Sequence, residues 1–264
     1  MQQINMTKHT DNCIKWIKNW FEKNGPDCNA VIGISGGLDS SVVAALCVEA
    51  LGKDRVIGIM MPEGRQDDIQ DARDLIEHLG IKSYCLNIRN AVDAIYDEMY
   101  MAYIEPKRQA MINCPARVRM TTLYAVSQSM NGRVANTCNL SEEWVGYSTI
   151  WGDSVGDFAP IVMFTKTEIK EMAKLLGLPQ HLVNKVPADG LTDKTDEENF
   201  GFTYEVLDKY IRTGICENTS IKEKIDKMFE QSRFKRTSVH IAKYFDVDFI
   251  NTFDKRIKNN KGGE

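Results

Sequence analysis

The first half of the chain alternates short apolar runs, rich in β-branched residues, with longer segments of helical spacing. The run at 30–34 is apolar and contains a glycine near its end, which is typical of a strand buried on both faces. Because strands separated by helices of this length join through right-handed crossovers, the pattern predicts an α/β fold: a parallel sheet with helices on both faces. The predicted strands cover residues 30–34, 56–61, 83–88 and 133–137. The predicted helices cover residues 11–23, 40–51, 67–79, 91–103, 115–130 and 140–146.

The second half of the chain mixes loops with further helices. Glycine and aspartate recur through residues 147–160, which indicates a loop. Thr165, followed three residues later by Glu168, matches the capping-box pattern at the start of a helix. Helices are therefore predicted at 165–176, 204–212 and 220–231.

The segment 186–199 is rich in Asp, Glu, Gly and Thr, so we expect a mobile surface segment that acts as a lid. The sequence has neither an internal repeat nor a Pro/Ser-rich linker, which favours one domain over residues 1–264. The polar end at 258–264 is expected to be frayed.

The composition excludes several classes of protein. The chain carries 33 Lys and Arg against 37 Asp and Glu, a net charge of −4, so it has no general attraction for nucleic acid. No apolar run approaches the ~20 residues of a membrane span and no signal-peptide pattern is present, so we expect a cytoplasmic protein. The seven cysteines include no C-x-x-C pair, and the histidines lack metal-ligand spacing, which favours reduced thiols and no zinc site.

The strongest local signal is the segment G-I-S-G-G-L-D-S-S at 33–41, between the first predicted strand and its helix. Adjacent glycines let the backbone approach a ligand, and free N–H groups at a helix start bind anions. The segment therefore predicts a phosphate or pyrophosphate site; a simple Gly/Ser turn would explain any two of these residues but not the whole string. No lysine follows the glycines and no G-x-G-x-x-G is present, which disfavours a kinase or a dinucleotide dehydrogenase.

The string S-G-G-x-D-S resembles the pyrophosphate loop of the ATP pyrophosphatases, which cleave ATP to AMP and pyrophosphate while adenylating a substrate oxygen. Further segments resemble the ammonia-dependent NAD synthetases among them, in order and spacing from about residue 9 to 240. The resemblance implies that nicotinate in deamido-NAD is adenylated by ATP and then amidated by ammonia. These segments lie at 137–142, 146–149, 152–153, 160, 166, 185–191, 196–201 and 235–236.

The resemblance also implies roles for individual residues at the ATP end of the site. Asp39 and Glu142 match magnesium ligands, and two carboxylates beside a triphosphate suit Mg²⁺. Asp39 is also assigned a catalytic role. A lone lysine such as Lys166 is usually solvated, but an anionic ligand gives it a partner here. The implied ATP-binding residues are Gly33, Ile34, Ser35, Gly36, Gly37, Leu38, Asp39, Ser40, Thr137, Lys166 and Ala188.

At the other end of the site, Asp153 resembles a loop acid beside the nicotinate carboxyl, where it holds or deprotonates ammonium as a catalytic residue. An Asx turn is the alternative interpretation of Asp153. Arg119 and Met120 complete an A-R-x-R-M pattern whose alternative interpretation is two exposed arginines. The implied deamido-NAD-binding residues are Asn113, Arg117, Asp157, Phe234 and Lys235.

The chain departs from the common family pattern at three positions. Ala188 replaces Ser or Thr, so only a backbone contact to phosphate is left there. Ile150 removes a lysine that otherwise contacts deamido-NAD, and Phe234 replaces a histidine. Trp151 or Phe234 is a candidate to compensate by packing on a ring of the substrate.

The expected partners are ATP, deamido-NAD, ammonia and a second copy of the chain. The resemblance implies dinucleotide sites at a homodimer interface, with Trp16, Trp20, Phe21 and the segment 113–123 as apolar area for it. Packing in the core is the alternative interpretation of both stripes. Free ammonium, rather than glutamine, is expected to supply nitrogen, since no glutaminase segment is found. Two alternatives stay open: a tRNA-thiolating ATP pyrophosphatase, disfavoured by the charge and cysteine pattern, and a non-catalytic nucleotide sensor, disfavoured by the two acids.

Overall fold

The structure, a computed structural model, describes residues 5–187 and 195–236. Four parallel strands form one sheet in the order β3-β2-β1-β4. The strands are β1 (Asn29–Gly33), β2 (Val56–Met60), β3 (Lys82–Cys85) and β4 (Gly132–Val134). The helices are α1 (Met6–Asn24), α2 (Leu38–Leu51), α3 (Ile69–Leu79), α4 (Arg89–Met101), α5 (Arg108–Ser129), α6 (Leu140–Val145), α7 (Lys166–Leu175), α8 (Gln180–Val183), α9 (Asp196–Phe200), α10 (Tyr204–Thr213) and α11 (Thr219–Gln231).

Helices cover both faces of the sheet, as the sequence pattern predicts. Ala30 and Ile32 of β1 join the larger core under α1, α2 and α7. Val31, between them, points into a second core with Val92 of α4 and Val118 of α5. The strand is therefore apolar at successive positions because each face has its own core. The predicted α/β fold is confirmed.

The strand β1 and the helix α2 lie within two residues of their predicted positions. In contrast, α5 begins at Arg108 instead of residue 115. Pro115 lies inside this helix and has no N–H for the carbonyl of Met111, four residues earlier. The hydroxyl of Tyr96, on α4, donates to that carbonyl at 3.2 Å. This contact between helices satisfies the group that proline leaves without its helical partner.

A smaller apolar cluster lies beside the sheet and is built from α6, α9, α10 and α11. Phe200, Leu207 and Ile225 are its fully buried side chains. Asp208 of α10 connects this cluster to α7, because its carboxylate accepts hydrogen bonds from the Ser141 hydroxyl and the Thr167 amide. The predicted capping box at Thr165 is also present. These contacts fix the start of α7, where a lysine of the site lies.

Two features of the C-terminal half differ from the prediction. The short helices α8 and α9 lie in segments that were not predicted as helical. Thr195 caps α9 through Glu198, and Asp196 is buried, so the end of the segment 186–199 is an ordered helix. The expected lid residues 188–194 and the expected frayed tail lie outside the described residues.

Candidate active site

A cleft of about 880 Å³ opens at the carboxyl ends of the strands. The chain leaves β1 toward β2 on one side, and β4 lies against β1 on the other, so this edge contains the point at which strand order reverses. Ligands of open α/β sheets bind at such a point. The cleft is lined by most of the predicted ATP-binding residues and by the predicted metal ligand Glu142. The ATP-binding residues that line it are Gly33, Ile34, Ser35, Gly37, Leu38, Asp39, Ser40, Thr137 and Lys166.

The loop between β1 and α2 has the backbone freedom that an anion site needs. Gly36 has φ +79°, and a Cβ there would lie 2.9 Å from the backbone nitrogen of Ala72 on α3. Glycine is therefore required both for the conformation and for the close approach. The Ser35 hydroxyl accepts from the Gly37 amide at 3.1 Å and lies 3.1 Å from the Ser40 hydroxyl. Gly36 packs against α3 and does not itself line the cleft.

Two carboxylates meet at the start of α2 and α6, although they lie 103 residues apart in the sequence. The Nζ of Lys166 lies 2.5 Å from Oδ2 of Asp39 and 3.2 Å from Oε1 of Glu142. Asn139 donates from Nδ2 to the other oxygen of Asp39 at 3.0 Å, and its backbone amide donates to Glu142. The structure thus brings together the two predicted metal ligands and the predicted lysine.

Burial makes this cluster electrostatically demanding. Burial, opposed by Lys166 and assisted by Asp39, raises the pKa of Glu142 to about 7. Burial disfavours the charge of Lys166, but Asp39 and Glu142 together raise the pKa of the lysine above its ordinary value. The ring of Tyr204 lies 5.3 Å from the ammonium. The carboxylate oxygens of Asp39 and Glu142 both lie next to the Lys166 ammonium. Because Mg²⁺ binds oxygen ligands, these two converging carboxylates fit a magnesium site.

The opposite end of the cleft is organised around Thr149. Its amide donates to Oδ1 of Asp153 at 2.8 Å, and its hydroxyl donates to Oδ1 of Asn113 at 3.1 Å. Burial raises the pKa of Asp153, against the hydrogen bond from Thr149, so its proton affinity is increased. Asn113 and Asp153 both line the cleft. Lys235 also lines it, and its Nζ donates to the carbonyls of Gly146 and Ser148 at 2.8 and 2.7 Å.

Three predicted substrate residues lie off this cleft. Arg117 donates to the Ile150 carbonyl at 3.3 Å and lines a separate pocket of about 500 Å³ between α4 and α5. Asp157 accepts from the Val134 amide at 2.7 Å and so holds the end of β4. Phe234 is exposed beside the cleft. Their substrate roles stay predictions, and Ala188 lies outside the described residues.

Several charged residues of the cleft lie outside the predicted site residues, among them Arg119, Lys185 and Asp196. Arg119 lies three residues after Ala116 and seven after Ile112 on α5, spacings that place side chains on one face of a helix, and all three residues line the cleft. Lys185 contacts Asp68, Asp71 and the carbonyl of Gly36, so it ties the phosphate loop to α3. No local signal in the sequence marks this tertiary contact.

The helices within 5–187 and 195–236 include none long and apolar enough to cross a membrane. All seven cysteines lie in the described ranges as free thiols, in agreement with the prediction of reduced cysteines.

Comparison with known proteins places the cleft in a family context. Residues 9–243 match the family model described as NAD synthase. The chain is 39% identical to the NH(3)-dependent NAD(+) synthetase of Finegoldia magna, over 93% of this chain and 98% of that protein. It is 36% identical to the enzyme of the same name from Pyrococcus furiosus, over 89% of this chain and 94% of that protein.

Two solved structures share the fold over their full length. The NMN synthetase of Francisella tularensis is 30% identical, with a TM-score of 0.84 over 92% of this chain and 100% of that one. The NH3-dependent NAD synthetase of Campylobacter jejuni, solved with nitrate, is 28% identical, with a TM-score of 0.74 over 91% of this chain and 100% of that one. The motifs, the cleft that they build and the match over 9–243 agree, and the chain belongs to the NAD synthase family.

Proposed function

We propose that this chain is an ammonia-dependent NAD synthetase, a ligase that converts deamido-NAD, ATP and ammonia to NAD, AMP and pyrophosphate. The observation that carries the proposal is the convergence of Asp39 and Glu142 on the ammonium of Lys166, beside the phosphate loop. Asp153 lies at the other end of the same cleft. The site therefore pairs a triphosphate end with an acid end, as a two-step adenylation and amidation requires.

In the first step, a nicotinate carboxylate oxygen attacks the α-phosphorus of ATP, and pyrophosphate leaves. The amides and hydroxyls around Ser35, Gly37 and Ser40 bind the departing phosphates, and Lys166 adds positive charge from the start of α7. Asp39 and Glu142 would hold Mg²⁺, which when bound neutralises phosphate charge and favours pyrophosphate departure. The phosphate loop and Lys166 thus stabilise charge where it develops.

In the second step, ammonia attacks the acyl carbon of the adenylate and AMP leaves. Asp153 holds ammonium near that carbon and accepts its proton, and the raised pKa of Asp153 suits proton acceptance. The Thr149 amide fixes the carboxylate in place. Asn113 and Lys235 bind the deamido-NAD side of the cleft, with Arg117, Asp157 and Phe234 assigned to parts of the dinucleotide beyond it. The cytoplasmic location and the lid role of 186–199 stay predictions.

A homodimer is part of the proposal, but part of the apolar stripe expected at its interface is buried within the chain. Phe21 is 1% exposed and Trp20 stacks on Phe158, so both belong to the core and only Trp16 of that stripe is exposed. A group of exposed apolar side chains lies where α4 leads to α5. Its members are Ile95, Tyr100, Met101, Tyr103, Ile104 and Met111. An apolar surface of this kind on a charged protein fits a second copy of the chain.

Light scattering at micromolar protein is expected to give the mass of a dimer, about twice 30.0 kDa. Met101→Glu together with Met111→Glu should shift the mass toward the monomer, because buried charges at an apolar interface are costly. Lys170→Glu, on an exposed part of α7, is the matched control. A monomer mass with full activity in the unchanged protein would contradict the dimer.

Nicotinate mononucleotide is the second candidate substrate, since the similar Francisella structure is named as an NMN synthetase. The two substrates carry the same reacting carboxylate and differ in the adenylyl half. We expect AMP formation by the purified chain to be stimulated at least tenfold more efficiently by deamido-NAD than by nicotinate mononucleotide. The reverse preference would assign the chain to mononucleotide amidation.

Ammonium is expected to support NAD formation, and glutamine alone is not. Two relatives similar over most of the chain are named NH(3)-dependent NAD(+) synthetases, which supports ammonia as the nitrogen source. The measurement compares NAD formed with ammonium chloride and with ammonia-free glutamine at equal concentration. Glutamine-driven synthesis at a rate comparable to that with ammonium, in protein free of other chains, would contradict this nitrogen source.

A further inference from the structure

The helix α5 presents two different faces to two different pockets. One face lines the cleft described above, and the other lines the pocket between α4 and α5. The two arginines of the A-R-x-R-M pattern are two residues apart and therefore lie on different sides of the helix. The cleft face consists of Gln109, Ile112, Asn113, Ala116, Arg119, Met120 and Leu123. The other face consists of Ala110, Cys114, Arg117, Val118, Thr121 and Thr122.

Arg119 enters the cleft with most of its hydrogen-bonding capacity unused. Its Nε donates to the carbonyl of Met61, at the end of β2, at 3.1 Å. Within residues 5–187 and 195–236, neither Nη group has a protein acceptor. Glu63 and Asp153 are the acids whose charges influence it, and burial lowers its pKa. Arg119 is therefore a partly desolvated cation anchored at one nitrogen, with its two Nη groups left for a ligand.

The other cations that line the described cleft already have protein partners. Lys166 is bound by Asp39 and Glu142, and Lys185 by Asp68 and Asp71. Lys235 donates to two carbonyls, and Arg65 forms an ion pair with Asp67. Arg65 and Arg119 both keep their Nη groups, but the Arg65 side chain is 90% exposed and paired with an acid. Arg119 is thus the partly buried cation of the described cleft with donors left for an anion, and it lies on the Asp153 side.

The first chemical step needs a cation at this place, because a carboxylate anion must approach an anionic phosphate. The planar guanidinium matches a carboxylate through two parallel hydrogen bonds. Fixed at Nε by Met61, it loses little further freedom on binding. A guanidinium between the phosphate loop and Asp153 would reduce the repulsion between the nicotinate carboxylate and the phosphates of ATP.

We propose that Arg119 binds the nicotinate carboxylate through its Nη groups and holds it for attack on the α-phosphorus. The proposal rests on the function proposed above. One carboxylate oxygen forms the new bond to phosphorus, the bond from phosphorus to the bridging oxygen breaks, and pyrophosphate leaves with that electron pair. Arg119 transfers no proton in this step; it pairs with the carboxylate before attack and with the carbonyl oxygen of the mixed anhydride afterwards.

The test compares two ligands that differ in one functional group. Deamido-NAD carries a carboxylate where NAD carries an uncharged amide. Calorimetric binding of both is measured to the full-length protein, to Arg119→Met and to Arg108→Met, an exposed arginine on the same helix. Arg119→Met is expected to weaken deamido-NAD binding about tenfold to a hundredfold and NAD binding less than twofold, since bonds to charged groups are the strong ones. Arg108→Met is expected to change neither.

Equal weakening of both ligands by Arg119→Met, or no weakening of either, would overturn the proposal, since only a carboxylate contact distinguishes them. Arg119→Lys keeps one charge but loses the paired donors, and it serves if the methionine variant does not fold. It should weaken deamido-NAD binding severalfold while leaving NAD binding unchanged; equal effects on the two ligands count against the proposal. Failure of the proposed function is separately visible as unstimulated AMP formation in the unchanged protein, whatever the ligand preference of Arg119.

Discussion

Asp39→Asn and Glu142→Gln are each expected to lower the rate of NAD synthesis about a hundredfold or more. Each change keeps the shape of the side chain and removes one negative charge from the cluster beside the phosphate loop. Losing charge stabilisation in the transition state typically costs ~2.7 to 4 kcal/mol, which corresponds to this factor. Steady-state NAD formation at limiting Mg²⁺ measures the effect, and Glu49→Gln on the exposed side of α2 is the matched control.

The double variant should lose far less activity than the product of the two single losses, because both acids would hold the same Mg²⁺.

The double variant is also expected to be less stable. Two acids alone would repel each other, so removing charge would be harmless to the fold. The structure places buried Lys166 between them, and a buried charge without its partners costs about 3 to 5 kcal/mol. The double variant is therefore expected to melt at a lower temperature than either single variant. A near-normal rate of NAD synthesis in either single variant would contradict a magnesium site shared by Asp39 and Glu142.

Lys166→Met has the second large expected effect, and it acts in opposite directions on two measurements. The lysine contributes charge to the triphosphate end, so NAD synthesis should fall about a hundredfold. The ammonium of Lys166 also lies 2.5 Å from Oδ2 of Asp39, an oxygen that would ligate the metal. Removing this like charge should strengthen binding of Mn²⁺, a spectroscopic substitute for Mg²⁺, to the nucleotide-free protein by about tenfold or more.

Paramagnetic resonance of free Mn²⁺ gives the affinity directly, independently of turnover. Lys170→Met, one turn further along α7 and exposed, is the control that should change neither quantity. Unchanged Mn²⁺ affinity in Lys166→Met would mean that the lysine and the metal do not compete for Asp39 and Glu142. That result would place the metal elsewhere in the cleft.

The part of the site that the sequence predicts well is the part built from neighbouring residues. The loop from Gly33 to Ser40 follows a strand and starts a helix, so its glycines, hydroxyls and amides have to lie together. The convergence of Asp39 with Glu142 was also predictable. Both residues follow predicted strands, and the carboxyl ends of parallel strands meet at one edge of the sheet.

What the sequence does not predict depends on packing between distant elements. The helical pattern did not show that α5 extends before Pro115, because the compensating donor, Tyr96, lies on another helix. In the sequence, Trp20 and Phe21 belong to an apolar stripe of α1 that could face solvent or the core. In the structure, both rings pack on Phe158, which is distant in sequence. The distinction between Arg117 and Arg119 needed only helical geometry, but knowing which face of α5 meets the cleft needed the fold.

The central claim is that the nicotinate carboxylate of deamido-NAD attacks the α-phosphorus of ATP in this cleft. The most direct measurement uses deamido-NAD labelled with ¹⁸O in that carboxylate, together with ATP and ammonium. The mechanism requires one labelled oxygen to leave with phosphorus, so mass spectrometry should find one ¹⁸O in each AMP and the other in NAD. AMP without label, formed at the same rate as NAD, would contradict an acyl-adenylate pathway and with it the function proposed for this cleft.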